Sequence, residues 1–155
     1  MYGFKAFIIE SGDTAHEFHK VNAPKKAAWA DESHRYAFKD SSGTEKHVDI
    51  HHQSFGEKPS ADVSFHDSHK ENDNNDKHDA TGKLGSKAIK TFSTVKAIMK
   101  HHAKAHPHIH SYEFSSSNDE PSRVKLYSRM TKHLGGSTEK NDNITYHHVP
   151  ADKLH

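Results

Sequence analysis

The sequence predicts one α+β domain, a mixed, mostly antiparallel sheet with helices on its faces. Three observations carry that expectation. The first half alternates apolar and polar residues over short runs, as strands with one buried face do. The second half holds two stretches with apolar residues three and four apart, as amphipathic helices do. These stretches alternate with further short strands, an order that implies some parallel pairing. At 155 residues the chain has the usual size of a single domain, residues 1–155. Its informative core is expected at about 35–149.

Tyr2 to Ile9 alternates loosely and suits a first strand. After Pro24, the run KKAAWADES suits a short helix, with proline near its start. Arg35 to Phe38 and His47 to His52 flank DSSGTE, a turn cluster, and predict a β-hairpin. Ala61 to Phe65 reads as another short strand, and 69–81, with HKENDNNDKHD at its start, as a mobile solvated loop. Ser86 to Ala105 places Ile89, Phe92, Val95 and Met99 on one helical face, and Pro107 ends it. His108 to Phe114 reads as a strand. Ser122 to Leu134 reads as a second helix, with Val124, Tyr127, Met130 and Leu134 on one face. Ser117, Asn118 or Asp119 stands near its N-cap and Gly135 and Gly136 stop it. Asn143 to Val149 is a last strand. From the hairpin onward the order is β-β-β-α-β-α-β.

Composition narrows the function classes. Only 31% of residues are apolar, so the surface must be very polar. The 22 basic and 21 acidic residues nearly cancel, which argues against disorder and disfavours nucleic acid as a partner. The lysines along 83–104 therefore read as a solvated helix face. The absence of cysteine excludes disulfides, thiolate nucleophiles and thiolate-bound zinc. No apolar run approaches the ~20 residues that cross a bilayer, so no membrane is expected. The first ten residues lack a basic stretch and a small-residue cleavage site, so an intracellular product is expected.

Histidine is the outlier, at 18 residues. Mild acid should make the chain strongly cationic and weaken its folding below about pH 6. His101, His102, His106, His108 and His110 crowd one helix end and the next strand. Their spacing matches no known metal motif, and HEFH at His16 to His19 is not HExxH. No specific metal site is expected.

The stretch TGKLGSKAIKTF puts Gly82 and Gly85 where a helix begins. Free N–H groups and the positive end of the helix dipole favour anions there, and Lys83 and Lys87 add charge. The bland alternative is a glycine-bearing helix start without a ligand. Tyr127 lies on the apolar face of the second helix, where an aromatic also serves as plain core.

The order strand, glycine loop, helix, strand, helix resembles the GNAT (Gcn5-related) N-acetyltransferases. Gly82 to Ser86, GKLGS, resembles the family's pyrophosphate loop, with Asp79 at its Gln/Arg position and Leu84 at its last Gly/Ala position. SRVKLY, Ser122 to Tyr127, resembles the later Asn-x-x-Ala-x-x-Leu-Tyr helix in its Leu-Tyr ending, with Arg123 at the Ala position and Glu120 at the Asn position. The resemblance implies an acyl-CoA-dependent N-acyltransferase. Gly82, Lys83, Leu84, Gly85, Ser86 and Lys87 would hold acetyl-CoA, and Tyr127 would protonate the departing thiolate. An amine acceptor would be deprotonated by Asp49, His51, Asp62 or His66, which the sequence does not rank. FSTVKAIM and SRVKLY also resemble small proteins of tailed bacteriophages. That resemblance implies a phage origin and, as the alternative, a non-catalytic accessory or structural protein contacting a protein partner in a phage particle. The expected place is then the host cytoplasm or the virion. Finally, HQS at His52 and HDS at His66 resemble, distantly, the paired motifs of 2H phosphoesterases.

Overall fold

The computed structural model describes residues 15–25, 28–54, 58–67 and 86–154. The hairpin comes first in the logic of the fold. In its turn, Asp40 accepts hydrogen bonds through Oδ1 from the backbone N–H of Ser42 (2.9 Å) and Thr44 (3.0 Å) and from Ser42 Oγ (2.7 Å). Gly43 closes the turn at φ +83°, a conformation that costs glycine little. This turn sets the register between β2 (Glu32–Lys39) and β3 (Glu45–Gln53), from Lys39↔Glu45 to Glu32↔His52. β1 (Phe18–Val21) adds outside β2, and β4 (Ser60–Asp67) adds antiparallel to β3.

The chain then forms α1 (Ser86–Ala105), β5 (Ser111–Ser117), α2 (Pro121–His133), β6 (Ser137–Lys140) and β7 (Ile144–Pro150), and ends in a 3-10 turn at Ala151–Leu154. The seven described strands make one sheet in the order β1-β2-β3-β4-β5-β7-β6. Every neighbouring pair is antiparallel except β4 and β5. The structure is therefore the expected α+β, mixed and mostly antiparallel architecture.

Register decides the two faces, because side chains alternate along each strand. Tyr36, Val48, Ile50, Ala61, Val63, Tyr112, Phe114 and Val149 share one face and are all buried. α1 covers this face over β2–β4, with Val95, Ile98, Met99 and Ala103 turned inward, and α2 covers it over β5 and β7 through Met130 and Leu134. The opposite face is polar. It carries Arg35, Asp49, His51, Asp62, His66 and Glu113. Gly136 is a point of close approach: a Cβ there would lie 2.2 Å from the carbonyl oxygen of His148, which fixes how α2 turns into β6.

Several boundaries differ from expectation, for physical reasons. No helix follows Pro24 among the described residues. Ala28 and Trp29 form a turn, and Asp31 already donates to the His52 carbonyl (2.9 Å), so the ladder to β3 captures this segment. β5 starts at Ser111 instead of His108, because Ile109 N–H closes a turn onto the His106 carbonyl and His110 N–H is spent on the Pro59 carbonyl. α2 is preceded by Glu120, without a side-chain cap, rather than by Ser117, Asn118 or Asp119. β1 and β6 were not expected, and the first strand at Tyr2–Ile9 and the loop 69–81 lie outside the described residues.

On the polar face, Arg35 Nε and Nη2 donate to the two Asp49 oxygens at 2.6 and 2.9 Å, and His66 Nε2 lies 3.0 Å from Oδ2. Both charged partners are buried. Removing one member strands the other charge, so Arg35→Ala is expected to destabilise the fold by about 3–5 kcal/mol in urea denaturation, while Arg35→Met with Asp49→Leu should cost much less.

Candidate active site in the cleft between β4 and β5

β4 and β5 run parallel but pair only at Ser60↔Ser111, Ala61↔Tyr112 and Asp62↔Glu113. Each strand continues well past that contact, to Asp67 and Ser117, held by β3 on one side and β7 on the other. The β5-facing backbone groups of residues 63–67 thus make no ladder with β5, and the strands part. At this break, between the sheet and the two helices, lies an apolar cleft of about 30 Å³ that opens to solvent. Val63 and Phe65 line it from β4, Phe114 from β5, Phe92 and Val95 from α1, and Leu126 and Tyr127 from α2. Its α1 wall begins at Thr91, about 8 Å along the axis from the first residue of the helix.

Tyr127 is half-buried, and its ring meets Phe114 edge-on at 5.4 Å and His147 at 5.7 Å. His147 is fully buried and is the support of this corner. Its Nε2 lies 2.9 Å from Ser116 Oγ, its ring stacks on Phe114 at 5.2 Å, and burial pushes its pKa down to about 4. The helices are tied above the cleft by Lys96 Nζ, 3.2 Å from His133 Nε2, and by the edge-on contact of Phe92 with His133. Lys96 is buried there, so the lysines of α1 do not form one continuous exposed stripe.

The base candidates separate clearly. Asp49 is committed to Arg35 and His66: burial alone would raise its carboxyl, but those hydrogen bonds and the Arg35 charge hold it near 2. His51 Nδ1 lies 2.7 Å from Ser33 Oγ, away from β5. Asp62 stands at the last pair before the strands part, on the polar face. Burial, then the neighbouring Glu113 charge, raises its carboxyl to about 6. Register puts His52 on the helix-covered face and His66 on the other, so a paired-histidine phosphoesterase site is not built.

Gly82, Lys83, Leu84 and Gly85 lie outside the described residues; Ser86 and Lys87 open α1. One group was missed in the sequence. His34, His52, His102 and His106 place a ligating atom each within 4.8 Å of one another. Only the pair His102 and His106, one helical turn apart, left a local signal; their meeting with His34 and His52 of the hairpin comes from packing.

No protein-family model and no curated protein matches the chain. Solved structures do. The spermidine/spermine N-acetyltransferase SpeG from Vibrio cholerae, in complex with manganese ions, is similar at a TM-score of 0.54 and 8% identity, covering 90% of this chain and 94% of that one. A chimera of spermidine N-acetyltransferase SpeG from Vibrio cholerae and hSSAT is similar at 0.50 and 10% identity, covering 79% of this chain and 69% of that one. The fold is that of the GNAT acetyltransferases. At these identities the likeness is one of architecture, and the parted parallel pair of this GNAT-like sheet has to be judged on its own residues.

His147 makes the acid sensitivity of this site calculable. Its neutral form is favoured in the fold, whereas the unfolded chain takes up a proton near 6.5. Between those values the unfolded state binds more protons, so the contribution is complete above about pH 6.5 and is lost as the pH falls towards about 4. The full effect is roughly 3 kcal/mol for this one group. Urea midpoints followed from neutral pH down to about pH 4 should drop through that window, and less steeply in His147→Phe.

Proposed function

We propose that the protein is an N-acyltransferase that takes its acyl group from a CoA thioester, acetyl-CoA in the simplest case, and passes it to an amine. The observation that supports this best is the parting of β4 from β5, with an apolar cleft at the break and Tyr127 in its wall. Apolar walls suit the acyl chain and pantetheine arm, and they exclude water from the thioester. Unladdered backbone N–H groups along β4 would polarise the thioester carbonyl. The neighbours' names, spermidine and spermidine/spermine N-acetyltransferases, point the same way.

In this reading Gly82 to Lys87 hold the pyrophosphate at the start of α1, where N–H groups and the dipole favour it. The amine nitrogen attacks the carbonyl carbon and the C–N bond forms as the C–S bond breaks. Asp62 takes the proton of the attacking amine, and the Tyr127 hydroxyl gives one to the leaving thiolate. A carboxyl raised to about 6 is ionised at neutral pH yet basic enough for that work. Asp62 and Glu113 together would also draw a cationic amine to the polar face.

Calorimetric titration with acetyl-CoA tests the donor. The protein should bind it, and Gly85→Glu, which puts a negative charge in the proposed loop, should abolish binding. Failure of the unaltered protein to bind at millimolar acetyl-CoA would end the enzyme reading and favour the same scaffold acting through protein contacts. With an accepted amine in hand, Tyr127→Phe should keep acetyl-CoA binding and lower kcat about 10²–10⁴-fold. Asp62→Asn should remove the fall in kcat/KM below about pH 6 along with most of the rate.

A further inference from the structure

At the other end of α1, about 15 Å along the helix from Phe92, four imidazoles meet. His102 lies in the last turn and His106 one turn on, its N–H bonded to the His102 carbonyl at 2.9 Å, so both side chains leave the same side. His34 on β2 and His52 on β3 are diagonal neighbours on the face that α1 covers, since Glu32 pairs with His52 and His34 with Ile50. His34, His52 and His102 are buried and His106 is half-buried. His52 Nε2 and His102 Nε2 face each other at 2.7 Å, and the His102 and His106 rings stack at 4.2 Å.

Four imidazoles from three elements, packed where aliphatic side chains would cost less to bury, call for a common occupant. We propose that His34, His52, His102 and His106 bind one zinc-class divalent cation. The donor set is nitrogen only, which suits zinc, nickel or copper and not magnesium or calcium. A tetrahedral ion with bonds of about 2.0–2.1 Å requires nitrogens about 3.4 Å apart. The 2.7 Å pair would open slightly and the widest pairs, at up to 4.8 Å, would close by up to about 1.4 Å.

The surroundings are those of a ligand shell. Tyr36 Oη lies 2.8 Å from His102 Nδ1, which fixes that ring with Nε2 turned to the centre. Glu32 stands beside two of the rings, its Oε1 2.7 Å from His34 Nε2 and its Oε2 3.6 Å from His52 Nδ1. Its negative charge offsets Lys20, whose charge acts on His34, His102 and His106. With all four positions filled by protein, the ion would clip the end of α1 onto the hairpin, remote from the cleft.

The test uses the full chain without an affinity tag, stripped with a chelator and titrated first with Zn²⁺ in competition with a chromogenic chelator, then with Co²⁺. One equivalent should bind with submicromolar affinity, and Co²⁺ should give the intense visible bands of tetrahedral coordination. His106→Gln should weaken binding at least tenfold and His110→Gln, at an exposed histidine, should leave it unchanged. His34→Gln provides a second ligand variant if His106→Gln fails to fold. Weak binding of several equivalents, insensitive to both ligand variants, would mean only adventitious binding by surface histidines and would overturn the proposal. A pale octahedral cobalt spectrum would overturn it as well.

Discussion

Three residue pairs join the two halves of this sheet. β1 to β4 form one antiparallel ribbon, and β5, β7 and β6 form another. Among the described residues, the ladder between them is the short parallel contact of Ser60–Asp62 with Ser111–Glu113. Strands in a sheet twist relative to each other, and a parallel pair tied at one end only is free to diverge at the other. Each strand is held straight by its other neighbour, so the divergence is stable and leaves backbone groups and a lined space where a ladder would have been. The cleft and the placing of Tyr127 against it follow from that one short pairing, and Asp62 stands at its last pair on the opposite, polar face.

The same contact explains why charge is distributed as it is. On the covered face, α1 and α2 bury an aromatic and aliphatic layer, and His147, a titratable group deep in the corner, is kept neutral by burial and served by Ser116. On the other face, ionised groups are admitted only with partners, as Arg35, Asp49 and His66 show. Asp62 departs from that rule. It is pressed into the sheet beside Glu113, another acid, and its raised pKa is the result. A carboxyl kept in such a setting is costly for stability.

The histidine content acquires a structural reading on both faces. Some imidazoles are core, such as His147; some bridge acids, such as His66 with Asp49 and His148 with Glu113 at 3.2 Å. Four converge at the end of α1. Their cleft-remote position separates the two proposed sites, one for acyl transfer and one for a cation, and each depends on the same helix lying across the hairpin.

Local chemistry in the sequence determined much of this. The period of α1 was legible because Phe92, Val95 and Met99 repeat at helical spacing, and the hairpin because Asp40 to Thr44 carries its own turn chemistry. The GNAT-like order and Tyr127 on an apolar helix face were legible for the same reason. β6 was not, since Ser137–Lys140 is exposed along its whole length and has no buried face to leave a pattern. Nor was the ranking of the base candidates, which differ only in what surrounds them: Asp49 meets Arg35 across the β2–β3 ladder, whereas Asp62 meets Glu113 across the parallel pair. The four-histidine cluster was illegible for that reason too, with His34 and His102 separated by 68 residues of chain and brought together only by packing. Periodicity and turn preference act between near neighbours and can be read along the chain. Electrostatic environment and ligand convergence act across space, and only the tertiary structure decides them.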